Sequence, residues 1–208
     1  MSEAPLVHVV DDDDSLRTAL LRLLGAAGYE ARGYASAGDF LLQPLPDRPG
    51  CLLLDLNMPG GPSGLELQAA LRRQGVALPV VFLTGYGDVA SSVRALQTGA
   101  VDFLSKPVEG ETLLKALQRA LSRDARARQA RAQAAELTAR FASLSSRERE
   151  VFDRVVMGSL NKLIAIELAI NERTVKALRA QMMHKLGAHS VADLGRLAER
   201  LRQLAKDG

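Results

Sequence analysis

Short β-branched and apolar runs at 6–10, 30–34, 51–55, 80–84 and 101–105 are each followed by a stretch with helical spacing of apolar residues. Those stretches are 15–27, 37–42, 65–73, 89–98 and 111 onward, with Pro or Gly at the joints (Pro44, Pro46, Pro49, Pro59, Gly85, Gly99, Pro107). Strands alternating with helices predict an α/β domain, doubly wound around a five-stranded parallel sheet. Residues 111–144 contain neither Gly nor Pro and are rich in Ala, Arg, Leu and Gln, which are strong helix formers. Leu113, Leu114, Leu117 and Leu121 give that helix one apolar face for the sheet. Beyond Leu121 the stripe fades and the larger apolar residues of a coiled-coil seam are missing. The pattern there predicts a solvent-exposed helical spacer.

The remainder predicts a small all-α domain of four helices. Ser145 with Glu148 forms a capping-box pattern before a helix that Gly158 stops. Asn161 is expected to cap 162–168, and Asn171 to cap 172–185 before Gly187. Ser190 with Asp193 opens the last helix, at 194–204. The tight Ala169-Ile170-Asn171 link between the second and third helices suggests helix-turn-helix. Arg173, Lys176 and Arg179 then fall three apart and predict a solvent-facing basic stripe suited to a DNA major groove. Pattern alone leaves open a helical protein-interaction domain.

Charge supports two jobs in one chain. Residues 1–110 hold 8 Lys and Arg against 13 Asp and Glu, whereas 111–208 hold 19 against 11. The basic half suits an anionic partner such as nucleic acid. At 47% apolar and 25% charged residues the composition is that of a globular protein. No apolar run is long enough for a membrane span, and the N-terminus lacks the pattern of a signal peptide. Cys51 is the single cysteine, so no disulfide framework is possible within the chain and a reducing, cytoplasmic setting is expected.

In open parallel sheets, ligands bind at the carboxyl ends of the strands. Asp11 and Asp12 follow the first strand, Asp55 ends the third, Thr84 ends the fourth and Lys106 follows the fifth. Taken singly, each has a plain structural reading: a helix-entry cap for the run beginning at Asp11, a strand-end cap for Thr84, a surface charge for Lys106. Together they describe chemistry. Three converging carboxylates repel one another, and a hard divalent cation such as Mg²⁺ relieves that repulsion. Thr84 offers a hydroxyl and Lys106 a compact positive charge, both suited to phosphoryl oxygens. Metal, carboxylate nucleophile and cation make a site for phosphoryl transfer to Asp.

Val9-Val10-Asp11-Asp12-Asp13, Leu54-Asp55-Leu56-Asn57-Met58-Pro59-Gly60, Leu83-Thr84-Gly85 and the segment from Gly99 to Pro107 resemble, in order, the motifs of bacterial response-regulator receiver domains. The resemblance implies a strand order of 2-1-3-4-5 and phosphorylation of Asp55 by a sensor histidine kinase. It also implies Mg²⁺ (with Mn²⁺ as a substitute) held by Asp12, Asp55 and the Asn57 carbonyl, with Asp11 assisting through water. Lys106 would pair with the phosphoryl group beside a cis bond to Pro107, while Thr84 and Phe103 would form the switch. Two departures stand out: one extra residue in the loop Gly60-Gly61-Pro62-Ser63-Gly64, and a bulky Tyr86 placed to screen the acyl phosphate from water.

Leu144-Ser145-Ser146-Arg147-Glu148-Arg149-Glu150-Val151, Asn161-Lys162-Leu163-Ile164-Ala165 and Arg173-Thr174-Val175-Lys176 resemble LuxR/FixJ-type helix-turn-helix domains, and the full arrangement resembles FixJ/StyR-type regulators. Carried over, Lys162, Arg173 and Thr174 would meet phosphates. Lys176, Ala177 and Ala180 would face base edges of double-stranded DNA, and Arg179 would lie at its backbone. Leu178 stands where relatives commonly have His, and Gln181 where a basic residue is frequent. The expected domains are a receiver at 1–122, a helical linker at 123–141 and a DNA-binding domain at 142–208. Expected partners are the kinase, an inverted-repeat promoter site, RNA polymerase and, on phosphorylation, a second copy that pairs near 93–97 and Asp102. No enzymatic role is expected beyond slow self-dephosphorylation.

Two rivals remain. Asp11-x-Asp13-x-Ser15 after a strand also resembles the opening of haloacid-dehalogenase phosphohydrolases, with Asp11 as nucleophile and Asp13 as general acid. That reading has no evident cap domain and leaves Asp55 without purpose. A DNA-binding receptor for a small signal would need an apolar pocket where this half offers a charged edge.

Overall fold

A computed structural model describes residues 4–85 and 99–207. The expected helix at 89–98, Tyr86 and the pairing surface at 93–97 lie outside the described residues. The chain divides into two compact units, Met1–Arg128 and Gln129–Gly208.

In the first unit β1 (Leu6–Val10), α1 (Asp14–Ala26), β2 (Glu30–Tyr34), α2 (Ala37–Leu41), β3 (Gly50–Asp55), α3 (Gly64–Arg73), β4 (Val80–Thr84) and β5 (Asp102–Ser105) follow one another. The five strands pair in parallel in the order β2-β1-β3-β4-β5. Strand side chains alternate between faces, which splits the core in two. Val7, Val9, Cys51, Leu53, Val81 and Leu83 pack with helical Leu20, Leu24, Leu113 and Leu117 in one cluster. Leu52, Leu54, Val80 and Phe82 pack with Phe40, Leu67 and Leu71 in the other. Coverage on both sides is why β3 and β4 read as apolar runs and why β1 is apolar but for the buried His8. Burial, with the charge of Asp124, pushes the Cys51 thiol up to about 12, so it stays protonated.

Helix α4 (Gly110–Ala142) begins on this unit, with Leu113, Ala116, Leu117 and Ala120 fully buried. The expectation of an exposed spacer from 123 differs from what its next turn does. Asp124 is only 3% exposed. Its carboxylate accepts from the Gly50 amide at 3.0 Å and from Arg128 Nε at 3.1 Å. Arg128 also donates to Asp47 Oδ1 and the Arg48 carbonyl, both at 2.7 Å. Docking continues here through charge, which an apolar stripe does not register.

The second unit holds α5 (Ser146–Val156), α6 (Asn161–Glu167), α7 (Glu172–Leu186) and α8 (Val191–Asp207) around Val151, Phe152, Ile164, Val175, Met182 and Leu194. Ser145 and Glu148 form the full capping box. The buried Glu148 also meets Lys185 at 2.7 Å, a hydrogen bond that holds its carboxyl below the usual range. Asn171 caps α7 through the Thr174 amide at 2.7 Å. Asn161 does not cap α6. Leu160 holds the cap position with no side-chain bond, and Asn161 is the first helical residue. The turn between α6 and α7 is tight enough to put Ala169 at φ 52°, in the left-handed region. Among the described residues no helix is long and apolar enough to cross a membrane.

Candidate functional site

The parallel sheet brings the strand ends to one edge. Val10 pairs with Leu54, Asp55 with Leu83 and Thr84 with Ser105, so the residues at and after these positions share it. Asp13 takes the helix-cap role, accepting from the Ser15 and Leu16 amides at 2.8 and 3.1 Å. Asp11 in turn accepts from the Asp13 amide at 2.9 Å through Oδ1. Asp11 is fully buried, Asp55 is 4% exposed and Asp12 is open to solvent, and the three offer oxygens within 4.8 Å of one another.

Lys106 Nζ stands 2.8 Å from both Asp11 Oδ2 and Asp55 Oδ2. The Asp55 contact is a well-directed hydrogen bond, and Asp11 Oδ2 meets the same ammonium as an ion pair. Burial, with the charge of Asp11 added, raises the Asp55 carboxyl despite Lys106 beside it. Burial works to lower the Lys106 ammonium, but its contacts with Asp11 and Asp55 outweigh it and raise it. One ammonium against three carboxylates leaves the pocket negative. All-oxygen donors at close spacing in a negative pocket fit a small hard divalent cation.

The other expected residues lie as follows. The Asn57 amide donates to Asp55 Oδ1 at 3.3 Å. Thr84 is buried, with its hydroxyl 3.3 Å from the Gly85 carbonyl. The half-buried Phe103 ring stacks on Phe82 at 5.1 Å. The Lys106–Pro107 peptide is cis.

Two contributors escaped the sequence reading. Arg17 donates to the Asp11 carbonyl at 2.6 Å and pairs with Asp14. The three-residue spacing of Asp14 and Arg17 was the available signal. Gly64, at the start of α3, leaves no room for a side chain: a Cβ there would sit 2.3 Å from the Asp55 carbonyl oxygen.

In the second unit Lys162, Arg173, Lys176, Ala177 and Ala180 are exposed and Thr174 is half-buried. The Thr174 hydroxyl bonds Asn171 Oδ1 at 2.8 Å, and Lys176 pairs with Glu172 at 3.3 Å. Arg179 departs from the expected stripe. Each three-residue step on a helix falls back by about 60°. Two steps therefore roll Arg179 away from Arg173 and toward the core, where it is half-buried and donates to Asn161 Oδ1 at 2.6 Å.

Residues 7–118 match the response regulator receiver domain family, and 142–198 match the bacterial regulatory proteins of the luxR family. The chain is 42% identical to nodulation protein W of Bradyrhizobium diazoefficiens over 200 residues, covering 96% of this chain and 88% of that one. It is 40% identical to the transcriptional regulatory protein FixJ of Azorhizobium caulinodans over 198 residues, covering 95% and 93%. Among solved structures, the response regulator StyR superposes with a TM-score of 0.87 at 43% identity, covering 95% of this chain and all of that one. Full-length FixJ from B. japonicum gives 0.59 at 38% identity, covering 98% and 99%.

Proposed function

Because this chain belongs to the two-component response regulators that join a receiver domain to a LuxR-type DNA-binding domain, we propose that Asp55 is its phosphoryl acceptor and that phosphorylation controls DNA binding by its C-terminal helices. Proteins of this kind are transcriptional regulators and not enzymes; the receiver implies a histidine kinase as partner and the LuxR-type domain implies DNA. The observation that carries the assignment is the Asp55 carboxylate itself. It ends β3, nearly buried, at 2.8 Å from Lys106 with Asp11 and Asp12 alongside.

A carboxylate oxygen of Asp55 attacks the phosphorus of the kinase's phosphohistidine. The P–N bond breaks, its electron pair stays on the imidazole nitrogen, which takes up a proton, and the phosphoryl group remains on Asp55 as an acyl phosphate. Lys106 moves from carboxylate to phosphoryl oxygen as its counter-charge. Asp11, Asp12, Asp55 and the Asn57 carbonyl would hold Mg²⁺, or Mn²⁺ in its place, whose charge offsets that of the phosphoryl oxygens. The Thr84 hydroxyl turns from the Gly85 carbonyl to the phosphoryl group, and Phe103 moves into the space it leaves.

Two phosphorylated copies pair through the surface near 93–97 and Asp102 and engage an inverted repeat, from which RNA polymerase is recruited or blocked. Lys162, Arg173 and Thr174 meet phosphates, while Lys176, Ala177 and Ala180 face bases. The receiver is assigned to 1–122, the linker to 123–141, with its start docked through Arg128, and the DNA-binding domain to 142–208. The setting is the cytoplasm.

The test is intact mass after acetyl phosphate, with and without Mg²⁺. The wild type should gain one phosphoryl group only with the metal, and Asp55→Asn should gain none. Label kept in Asp55→Asn but lost in Asp11→Asn would favour the phosphohydrolase-like reading.

A further inference from the structure

On α7 the residues proposed to meet DNA share one side. At about 100° per residue, Arg173, Lys176, Ala177 and Ala180 span an arc of about 100°, and all four are exposed. Arg179 lies about 60° beyond Lys176, on the shoulder toward the buried Val175, Met182 and Leu186. Its guanidinium has no carboxylate partner among the described residues and donates to Asn161 Oδ1 at 2.6 Å. Asn161 in turn gives up the cap role its sequence position suggests, and α6 starts without any side-chain cap. Both side chains are thus committed to each other, across the two helices of the helix-turn-helix.

The partner helices need such a tie. α6 is seven residues long, and its outward face carries Leu163 and Ile166, 52% and 70% exposed; Ile164 and Ala165, with Leu168 just past its end, anchor it in the core, and Arg154 of α5 donates to Glu167 in its last turn at 2.7 Å. Apolar packing by so short a helix fixes its depth better than its rotation. With Glu167 tied to α5 at the far end, the charge-assisted hydrogen bond from α7 to the first residue of α6 is directional and sets the N-terminal end of α6 against α7.

We propose that Arg179 is a positioning residue for DNA sequence recognition: through Asn161 it locks the angle between α6 and α7 and so holds Lys176, Ala177 and Ala180 in register with the base edges. It contacts α6 and not the phosphate backbone. This rests on the proposal that α7 reads bases.

The two possibilities differ in salt dependence and in discrimination. A residue bound to phosphate contributes to every sequence alike and to the counterion slope, about 0.9 per phosphate. A strut acts on the specific complex. The experiment uses the full chain activated with beryllofluoride, a duplex selected from a random pool by the wild type, and a random duplex. Arg179→Met should weaken the selected duplex roughly tenfold or more, as loss of a base contact would, leave the random duplex within about threefold and leave the slope unchanged. Asn161→Ala should match it, and the double variant should be no worse than either single one. Asn161→Asp, which keeps an acceptor for the guanidinium, should retain discrimination and decides the matter if Arg179→Met fails to fold. Equal weakening of both duplexes with a shallower slope, additive effects of the two variants, or loss of discrimination in Asn161→Asp would overturn the proposal. Lys176→Ala separates the two readings. If it keeps full discrimination, base reading by α7 fails; if it loses discrimination while Arg179→Met keeps it, the strut alone fails.

Discussion

At the scale of single residues, two positions outside the reactive cluster carry measurable consequences. His8 is buried on β1, 3.0 Å from the Tyr34 hydroxyl and edge-on to Phe40. Burial, with Arg32 and Arg48 nearby, lowers its pKa to about 4. The folded form therefore refuses a proton that the unfolded chain accepts below about 6.5. The stability this gives is complete above pH 6.5 and is lost as pH falls toward 4. The expected loss from this group by pH 5 is about 2 kcal/mol. All three tyrosines lie in the first unit, so tyrosine fluorescence during urea unfolding follows that unit. His8→Gln should flatten the pH dependence between 7 and 5; an equally steep curve would show that His8 is not its source. Gly64 is the second position. A Cβ would strike the Asp55 carbonyl oxygen, and a main-chain atom cannot swing aside. Gly64→Ala should lower stability by about 1–3 kcal/mol and slow labelling by acetyl phosphate; labelling at the wild-type rate would show that the loop tolerates the shift.

At the scale of elements, the strands were the most legible part of the sequence, because β1 (His8 apart), β3 and β4 are apolar on both faces and bounded by turn residues. The clustering of Asp11, Asp55, Thr84 and Lys106 followed from them, since these residues sit at strand ends and parallel strands end together. What escaped was side-chain commitment. Asn161 looks like a cap, and nothing in its neighbourhood tells that Arg179, eighteen residues on, takes its oxygen. Asp124 looks like a solvated charge in a fading stripe, yet it satisfies the Gly50 amide from 74 residues away. Spacing along one helix cannot report a partner on another element. Ala169 gives an element-level prediction. A left-handed conformation costs an L-residue about 1–2 kcal/mol, and glycine avoids that at some cost in unfolded-chain entropy. Ala169→Gly should raise the stability of the second unit by up to about 1 kcal/mol, seen as a later calorimetric transition for that unit. An earlier transition would show that the α6–α7 turn gains more from the alanine than it loses in strain.

At the scale of the whole molecule, an acidic half and a basic half divide the work. Phosphorylation of the first must bias a two-state equilibrium, and it does so only by its differential affinity for the two states. Sedimentation of the full chain should show a monomer that becomes a dimer with beryllofluoride and Mg²⁺. A monomer unchanged at high micromolar concentration would count against activation by pairing. The two halves also differ in how freely they can vary. The pocket around Asp55 is closed in by buried carboxylates and a glycine that admits no side chain. Ala177 and Ala180, in contrast, stand exposed on α7. Alanine is the best helix former, and most replacements there cost at most about 0.7 kcal/mol. On the proposal that these two positions face bases, a duplicated gene could acquire a new set of target promoters by changing two codons, while the pocket and the fold stay as they were.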